Sequence, residues 1–198
     1  HLNSGSRLGY NLDFSKNRTV TLSGEAFFQV TKNEKFPFTV NTPNLSILVT
    51  GTTFNIISYP GETTEEVVLQ SGNLEVSHAT GQPITSIQAN QKLKMDVTDG
   101  SCTLSEVIAS QYTGWTEGKL IFRNEEMGQV ALRLSRWYNA DIIIADRRLL
   151  GYTFYATFRD EQLDEVLKLL AITTPILYEE KERVPLEDGS FPKRMITL

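Results

Sequence analysis

Thr19-Val20-Thr21-Leu22-Ser23-Gly24-Glu25-Ala26-Phe27-Phe28-Gln29-Val30-Thr31 decides how the first half of this chain is read. Val20, Leu22, Ala26, Phe28 and Val30 share one parity, and Thr19, Thr21, Ser23, Glu25, Gln29 and Thr31 share the other. Successive strand side chains point to opposite faces, so this is the pattern of a half-buried strand with its polar parity outward. Gly24 falls on the apolar parity in mid-run, where a missing side chain marks a bulge or a close approach of another backbone.

Working outward, Thr31-Lys32-Asn33-Glu34-Lys35 reads as a polar turn, after which Phe36, Phe38, Val40 and Thr42 again share a face. Pro43-Asn44 breaks the chain before Leu45 to Tyr59, a run rich in β-branched and aromatic residues that Gly51 interrupts, giving one long bent strand or two. Pro60-Gly61-Glu62 closes it. Short strands follow around Val67–Leu69, Leu74–Val76, Ile84–Ile87 and Leu93–Val97, punctuated by Ser71-Gly72-Asn73, Thr80-Gly81 and Asp99-Gly100. This spacing predicts an all-β domain over residues 1–106, an antiparallel sandwich or β-roll.

Beyond about Thr103 the grammar changes. Asn124 is a candidate N-cap for a helix with Met127, Val130, Ala131, Leu134 and Trp137 on one stripe. Glu125 and Glu126 at its start and Arg133 and Arg136 near its end suit the helix dipole, and Asn139 ends it. A second helix begins after Asp160, buries Leu163, Val166, Leu167 and Leu170, and stops at Pro175. Strand-like segments stand at Lys119–Phe122, Asp141–Ala145, Tyr152–Phe158, Ile176–Glu180 and Arg194–Leu198. The expectation for residues 119–198 is a small α+β domain ordered β-α-β-β-α-β, a split βαβ sheet with both helices on one face. Residues 107–118 are read as a linker with a polar joint at Ser110-Gln111-Tyr112-Thr113-Gly114, a stretch that also admits a short helical turn.

With 40% hydrophobic residues, the 198-residue chain can bury one sizeable core or two modest ones. A net charge of -5 argues against direct nucleic-acid binding, which needs a concentrated cationic face. No run approaches the roughly 18 apolar residues of a membrane span. The start lacks the apolar core of a signal peptide, so the stretch is expected to be soluble as it stands. Cys102 is the single cysteine, which excludes an internal disulfide or a multi-thiolate zinc site, and it reads as a half-buried strand thiol rather than a nucleophile. His1 is terminal and His78 stands alone, leaving no material for a triad or a histidine acid/base pair. Asp160, Glu161, Asp164 and Glu165 form two (i, i+4) pairs, read as a solvated helix face rather than a cation site. Gly51-Thr52-Thr53-Phe54-Asn55 lacks the second glycine and the lysine of a phosphate loop. Arg147-Arg148 reads as plain surface, and Tyr10, Tyr59 and Tyr112 are too scattered for a sugar-stacking platform. No catalytic residue, metal ligand or cofactor is expected.

Val20 to Val30, Pro37-Phe38-Thr39-Val40-Asn41-Thr42-Pro43 and Val49-Thr50-Gly51-Thr52-Thr53-Phe54-Asn55-Ile56 resemble, in order and spacing, successive elements of the FecR family. Val68-Leu69-Gln70-Ser71-Gly72 and Ala89-Asn90-Gln91 are similar to its later strand and Asn-Gln turn. The stretch from Trp115-Thr116-Glu117-Gly118-Lys119-Leu120-Ile121-Phe122 through Leu134-Ser135-Arg136-Trp137-Tyr138 to Leu163-Asp164-Glu165-Val166-Leu167 resembles the C-terminal domain that accompanies FecR domains in Gram-negative bacteria. That domain is similar to the secretin and TonB short N-terminal fold. The resemblance implies the periplasmic part of a single-pass inner-membrane anti-sigma regulator. Its sigma factor would be met through a cytoplasmic segment, and its anchor would be a transmembrane helix, neither of which lies in this stretch. The implied partner of the periplasmic part is the signalling domain of an outer-membrane TonB-dependent transporter. On this reading an open sheet edge in the C-terminal domain accepts a partner strand, with Tyr152, Tyr155 and Arg159 as candidate contact residues. The alternative is a carbohydrate-binding module of a glycan-uptake system, which needs an aromatic platform. A hydrolase needs a convergent acid/base pair in a cleft.

Overall fold

The computed structural model describes residues 1–11, 13 and 17–198. Its contacts divide the chain into two units, His1–Thr116 and Glu117–Leu198. The first unit carries β1 (Arg7–Tyr10), β2 (Thr19–Gln29), β3 (Phe38–Asn41), β4 (Leu45–Val49), β5 (Thr53–Ser58), β6 (Thr64–Ser71), β7 (Leu74–His78), β8 (Pro83–Ile87), β9 (Gln91–Asp96) and β10 (Cys102–Glu106). These form one ten-stranded sheet in the order β10-β9-β6-β5-β2-β3-β4-β7-β8, with β1 added on β2. β8 and β9 lie near opposite ends of this order yet are joined by only residues 88–90, so the sheet curls round on itself into a near-closed roll. The pairs are antiparallel except β2–β3, which run parallel with Val20 opposite Val40.

β2 makes the curl. Its first half pairs with β1 and β3, and from Gly24 onward it pairs with β5. Gly24 has φ +109°, and a Cβ there would lie 2.6 Å from Ser6 Cα, so the apolar-parity glycine marks a close backbone approach. Val20, Leu22, Ala26, Phe54, Ile56, Val67, Leu69 and Leu93 point into one core. The expected polar outer face of β2 is not solvated after Gly24: Glu25 and Phe27 are buried too. β5 is likewise buried on both faces from Phe54 to Ser58. The second face is covered by the N-terminal residues, where Asn3 N–H donates to Glu25 O at 2.9 Å, and by the segment after β10. Gly51 divides the run from Leu45 to Tyr59 into two strands, β4 and β5.

The stretch read as a linker is more ordered than a polar joint. α1 (Ser110–Thr113) and a 3-10 turn (Gly114–Glu117) occupy it, and Ala109 and Thr113 are buried against the first unit.

In the second unit the order is β11 (Lys119–Glu126), α2 (Met127–Tyr138), β12 (Asp141–Ile143), a 3-10 segment, β13 (Thr153–Arg159), α3 (Leu163–Thr173), β14 (Glu179–Glu180) and β15 (Met195–Thr197). The single split sheet is replaced by two small sheets. β11 and β13 form an antiparallel ribbon, and β15 lies between β12, to which it is parallel, and β14. One core unites them: Leu120, Phe122, Phe154 and Phe158 from the ribbon, Ile142 and Ile196 from the other sheet, and Met127, Leu134, Leu163 and Leu170 from the helices. Asn124 is not the cap of α2. It sits at φ +53° in a bulge of β11, and Glu126 precedes the helix without a side-chain cap. Glu125 serves the strand instead, with its carboxylate on Arg133. Asn139 does close α2, in the left-handed conformation at φ 49°. No helix of the described residues is long and apolar enough to cross a membrane.

Candidate docking surface

The ribbon of β11 and β13 divides its side chains cleanly by parity. Phe154 and Phe158 turn inward, with ring centroids 5.9 and 6.1 Å from that of Phe122. Thr153, Tyr155, Thr157 and Arg159 turn outward, and Tyr155 is 72% exposed. Across the ladder, Lys119 stands opposite Arg159 and Ile121 opposite Thr157. The bulge between Phe122 and Glu125 carries Arg123 back over β13. Its guanidinium lies 4.5 Å from the centroid of the Tyr155 ring and donates to Ala156 O and Thr157 Oγ1, each at 2.9 Å. A cation over an aromatic face is attracted by the ring quadrupole, and the two bonds, one to a backbone carbonyl and one to a hydroxyl, fix the fork in that position. Lys119 is paired with Glu117 at 2.6 Å, and this hydrogen bond holds the Glu117 carboxyl below its ordinary range.

Tyr155 and Arg159 therefore share this face. Tyr152 does not: it precedes β13 on the other parity, half-exposed, with its N–H donating to Leu149 O and its carbonyl accepting from Met127 N–H. The Arg159 backbone N–H is taken by the Glu161 carboxylate, so that end of the strand has a local partner. Among the described strands, β13 pairs with β11 alone, leaving its second edge without a ladder. Arg123 was missed by parity reasoning because β11 was expected to end at Phe122. The available signal was Asn124, a residue type that tolerates the left-handed conformation of a bulge.

The other titratable groups have structural work. Asp164 and Glu180 both accept from Arg194, whose hydrogen bond keeps Glu180 below its ordinary range. Glu165 reaches back to the Gln162 N–H to complete a capping box on α3. The two (i, i+4) carboxylate pairs are thus partly engaged rather than simply solvated. Arg148 is held by Asp146 at 2.6 Å, so Arg147-Arg148 offers no paired cation site. Burial, followed by the charge of Asp99, pushes the Cys102 thiol up, away from the thiolate a nucleophile needs. His78 ends β7 half-buried, and no group of three metal-binding side chains occurs among the described residues.

Among the described residues three carboxylates are buried in the first unit, and each has a partner: Glu66 lies 3.4 Å from Lys92 Nζ. Glu25 accepts from Asn55 Nδ2 and Asn3 Nδ2, each at 2.8 Å, and Asn55 Oδ1 in turn accepts from Trp115 Nε1 at 3.1 Å. Glu65, at the base of a shallow cleft beside Tyr59, Pro60 and Glu62, accepts from Thr42 Oγ1 at 2.5 Å and Asn44 Nδ2 at 2.8 Å. Tyr59 donates to Ser4 O at 3.0 Å, and Tyr112 lies 5.0 Å beneath Lys92 Nζ, so these rings are not arrayed as a sugar platform.

The geometry thus offers an outward ribbon for contact and no convergent reactive centre among the described residues. Residues 1–75 match the FecR protein family and residues 119–184 match the FecR C-terminal family. No curated relative matches. Two crystal structures of a candidate anti-sigma factor from Parabacteroides distasonis ATCC 8503 are similar to the chain at 26% identity. One has a TM-score of 0.82 over 99% of this chain and 88% of that one, and the other 0.81 over 100% and 88%.

Proposed function

This chain belongs to the FecR family, matching it in both units, and from that premise we propose that it is the sensing part of an anti-sigma regulator. In this reading it stands in the periplasm, tethered to the inner membrane by a transmembrane helix outside this stretch. It receives a signal from the signalling domain of an outer-membrane TonB-dependent transporter. The signal passes through a cytoplasmic segment to an extracytoplasmic-function sigma factor that governs nutrient-uptake genes, for iron or glycans. The candidate anti-sigma factor with which it shares nearly its whole length supports the regulatory assignment over an enzymatic one.

The observation that carries the docking part is the ribbon. β13 has one ladder partner, and an unpaired strand edge presents N–H and C=O groups that a partner strand satisfies. Tyr155, Arg123 and Arg159 supply an exposed aromatic and two cations beside that edge, which gives a docking strand side-chain contacts as well as backbone bonds. Tyr152 lies at the entry to the strand and contributes less. The test is calorimetric titration of the 198-residue chain with the signalling domain of the transporter encoded beside it. Thr157→Pro and Tyr155→Glu should weaken binding at least tenfold while circular dichroism stays unchanged. Unaltered affinity in a folded variant would show that this edge is not the docking site.

A further inference from the structure

The ten residues from Val107 to Thr116 run over the outer face of the first unit and lead to the second. They hold on in a way unlike any strand of that unit. At the start, Val107 N–H donates to Asn90 O at 2.8 Å and Ala109 N–H to Asn90 Oδ1 at 3.2 Å, with Asn90 in the left-handed turn at φ 63°. In the middle, the Tyr112 ring lies beneath Lys92 Nζ, which is also 3.4 Å from Glu66 Oε2. At the end, Trp115 Nε1 donates to Asn55 Oδ1, which belongs to the Glu25 cluster. Each fastening ends on a side chain or turn of the sheet, and none is a strand ladder.

The physics of such a segment differs from that of the sheet beneath it. α1 has four residues, far too short to persist without tertiary contacts. The residues it buries fully, Ala109 and Thr113, are small and Ile108 is exposed; the apolar area that lifting it returns to water comes from the half-buried Tyr112 and Trp115 and from Ile57 and Val68, which are buried on β5 and β6 outside the main core. Its anchors, Asn55, Glu66 and Lys92, are polar and are rehydrated when it leaves, whereas parting β5 from β6 would open the core around Phe54, Ile56 and Val67. A four-residue helix held by polar, solvent-satisfiable anchors, whose removal leaves the main core closed, opens more readily than the sheet beneath it.

We propose that residues 107–116 are a releasable strap that lets go of the β5–β6 face as a unit while the sheet stays folded. Release converts ten fastened residues into free tether, worth up to roughly 33 Å of extended chain between the units. A pull or a binding event on the second unit is then met by lengthening before either unit unfolds. The polar residues Asn55 and Asn90 act as the catches.

Native-state hydrogen exchange under increasing urea tests this on the 198-residue chain. The Val107, Tyr112 and Thr113 amides should exchange at least 100-fold faster than those of Ile56 and Val67, with little dependence on urea. Trp115→Phe, which keeps an aromatic side chain but removes the indole N–H, and Tyr112→Ala, which removes the ring under Lys92, should each speed the strap amides about five- to tenfold. The idea is overturned if strap and sheet amides share one rate and one urea slope, since the segment then opens only with the whole unit. It is overturned equally if both variants leave the strap amides at wild-type rates.

Discussion

Asn55→Leu isolates what the buried polar cluster does for the first unit. Leucine has the same number and branching of side-chain heavy atoms as asparagine, with bulkier methyl groups in place of the amide, so the change leaves no cavity and removes the hydrogen bonding. Asn55 is fully buried, gives one bond to Glu25 Oε1 at 2.8 Å and receives one from Trp115 Nε1 at 3.1 Å. Its loss leaves Glu25 with a buried oxygen short of a donor and strands an indole N–H. Orphaning a buried polar group costs about 1–3 kcal/mol, toward the upper end for a carboxylate, so the sum is about 3 kcal/mol. For a unit of this size that lowers the midpoint by roughly 12 °C. Calorimetry should show the shift in the first unit's transition and leave the second unit's transition in place. Combining the change with Trp115→Phe should destabilise less than the sum of the two alone, because both remove the same indole bond. A shift below about 2 °C, or strict additivity, would refute the reasoning: the cluster would then contribute nothing that water does not supply.

Gly24→Ala forces a Cβ to within 2.4 Å of Ser6 Oγ at φ +109°, and should cost about 3 kcal/mol or more in urea denaturation. Gly61→Ala is the control: at φ +82° with nothing within 4 Å, it should cost about 1 kcal/mol of strain alone. Phe122→Ala empties the fully buried centre of the second core between Phe154 and Phe158, and a loss of about 3–5 kcal/mol is expected from the second unit's unfolding curve. Burial, followed by the nearby charge of Glu161, pushes the Tyr138 hydroxyl up to about 12 from the ordinary 10.0. A raised acid favours the neutral form in the folded state, so its contribution is complete below pH 10 and fades between about pH 10 and 12. Tyr138→Phe should flatten the stability profile in that window; an unchanged alkaline slope would count against this assignment.

The halves of this chain differ in how much of their structure the sequence discloses. Parity along β2 announces the core residues Val20, Leu22 and Ala26, and the 3.6-residue stripe announces Met127, Val130 and Leu134, because one buried face imposes one period. Parity fails at Glu25, Phe27 and Asn55, where the second face is covered by residues 1–6 and 107–116. A covering segment tens of residues away leaves no trace in a local pattern. The β-α-β-β-α-β order is legible, whereas the division into two sheets depends on which strand edges meet, and β14 and β15 are too short for periodicity to decide it. At the ribbon, the outward placement of Tyr155 and Arg159 follows from alternation. Arg123 joins them only through the bulge at Asn124.

The polar motif residues of the first unit gain a physical role from that second covering. An apolar side chain under a covering segment resists separation but tolerates sliding, because its attraction has no direction. Asn55 and Asn90 present acceptors whose geometry admits one position of the donor, here the Trp115 indole and the Val107 and Ala109 amides. A segment fixed this way has two states, seated or gone, since partial sliding breaks the bonds without replacing them while the groups are still out of water. Sited on the covalent path between the units, such a seat turns a graded pull into a discrete event. Under the proposed regulatory role, such a step falls on the one piece of chain that joins the two units.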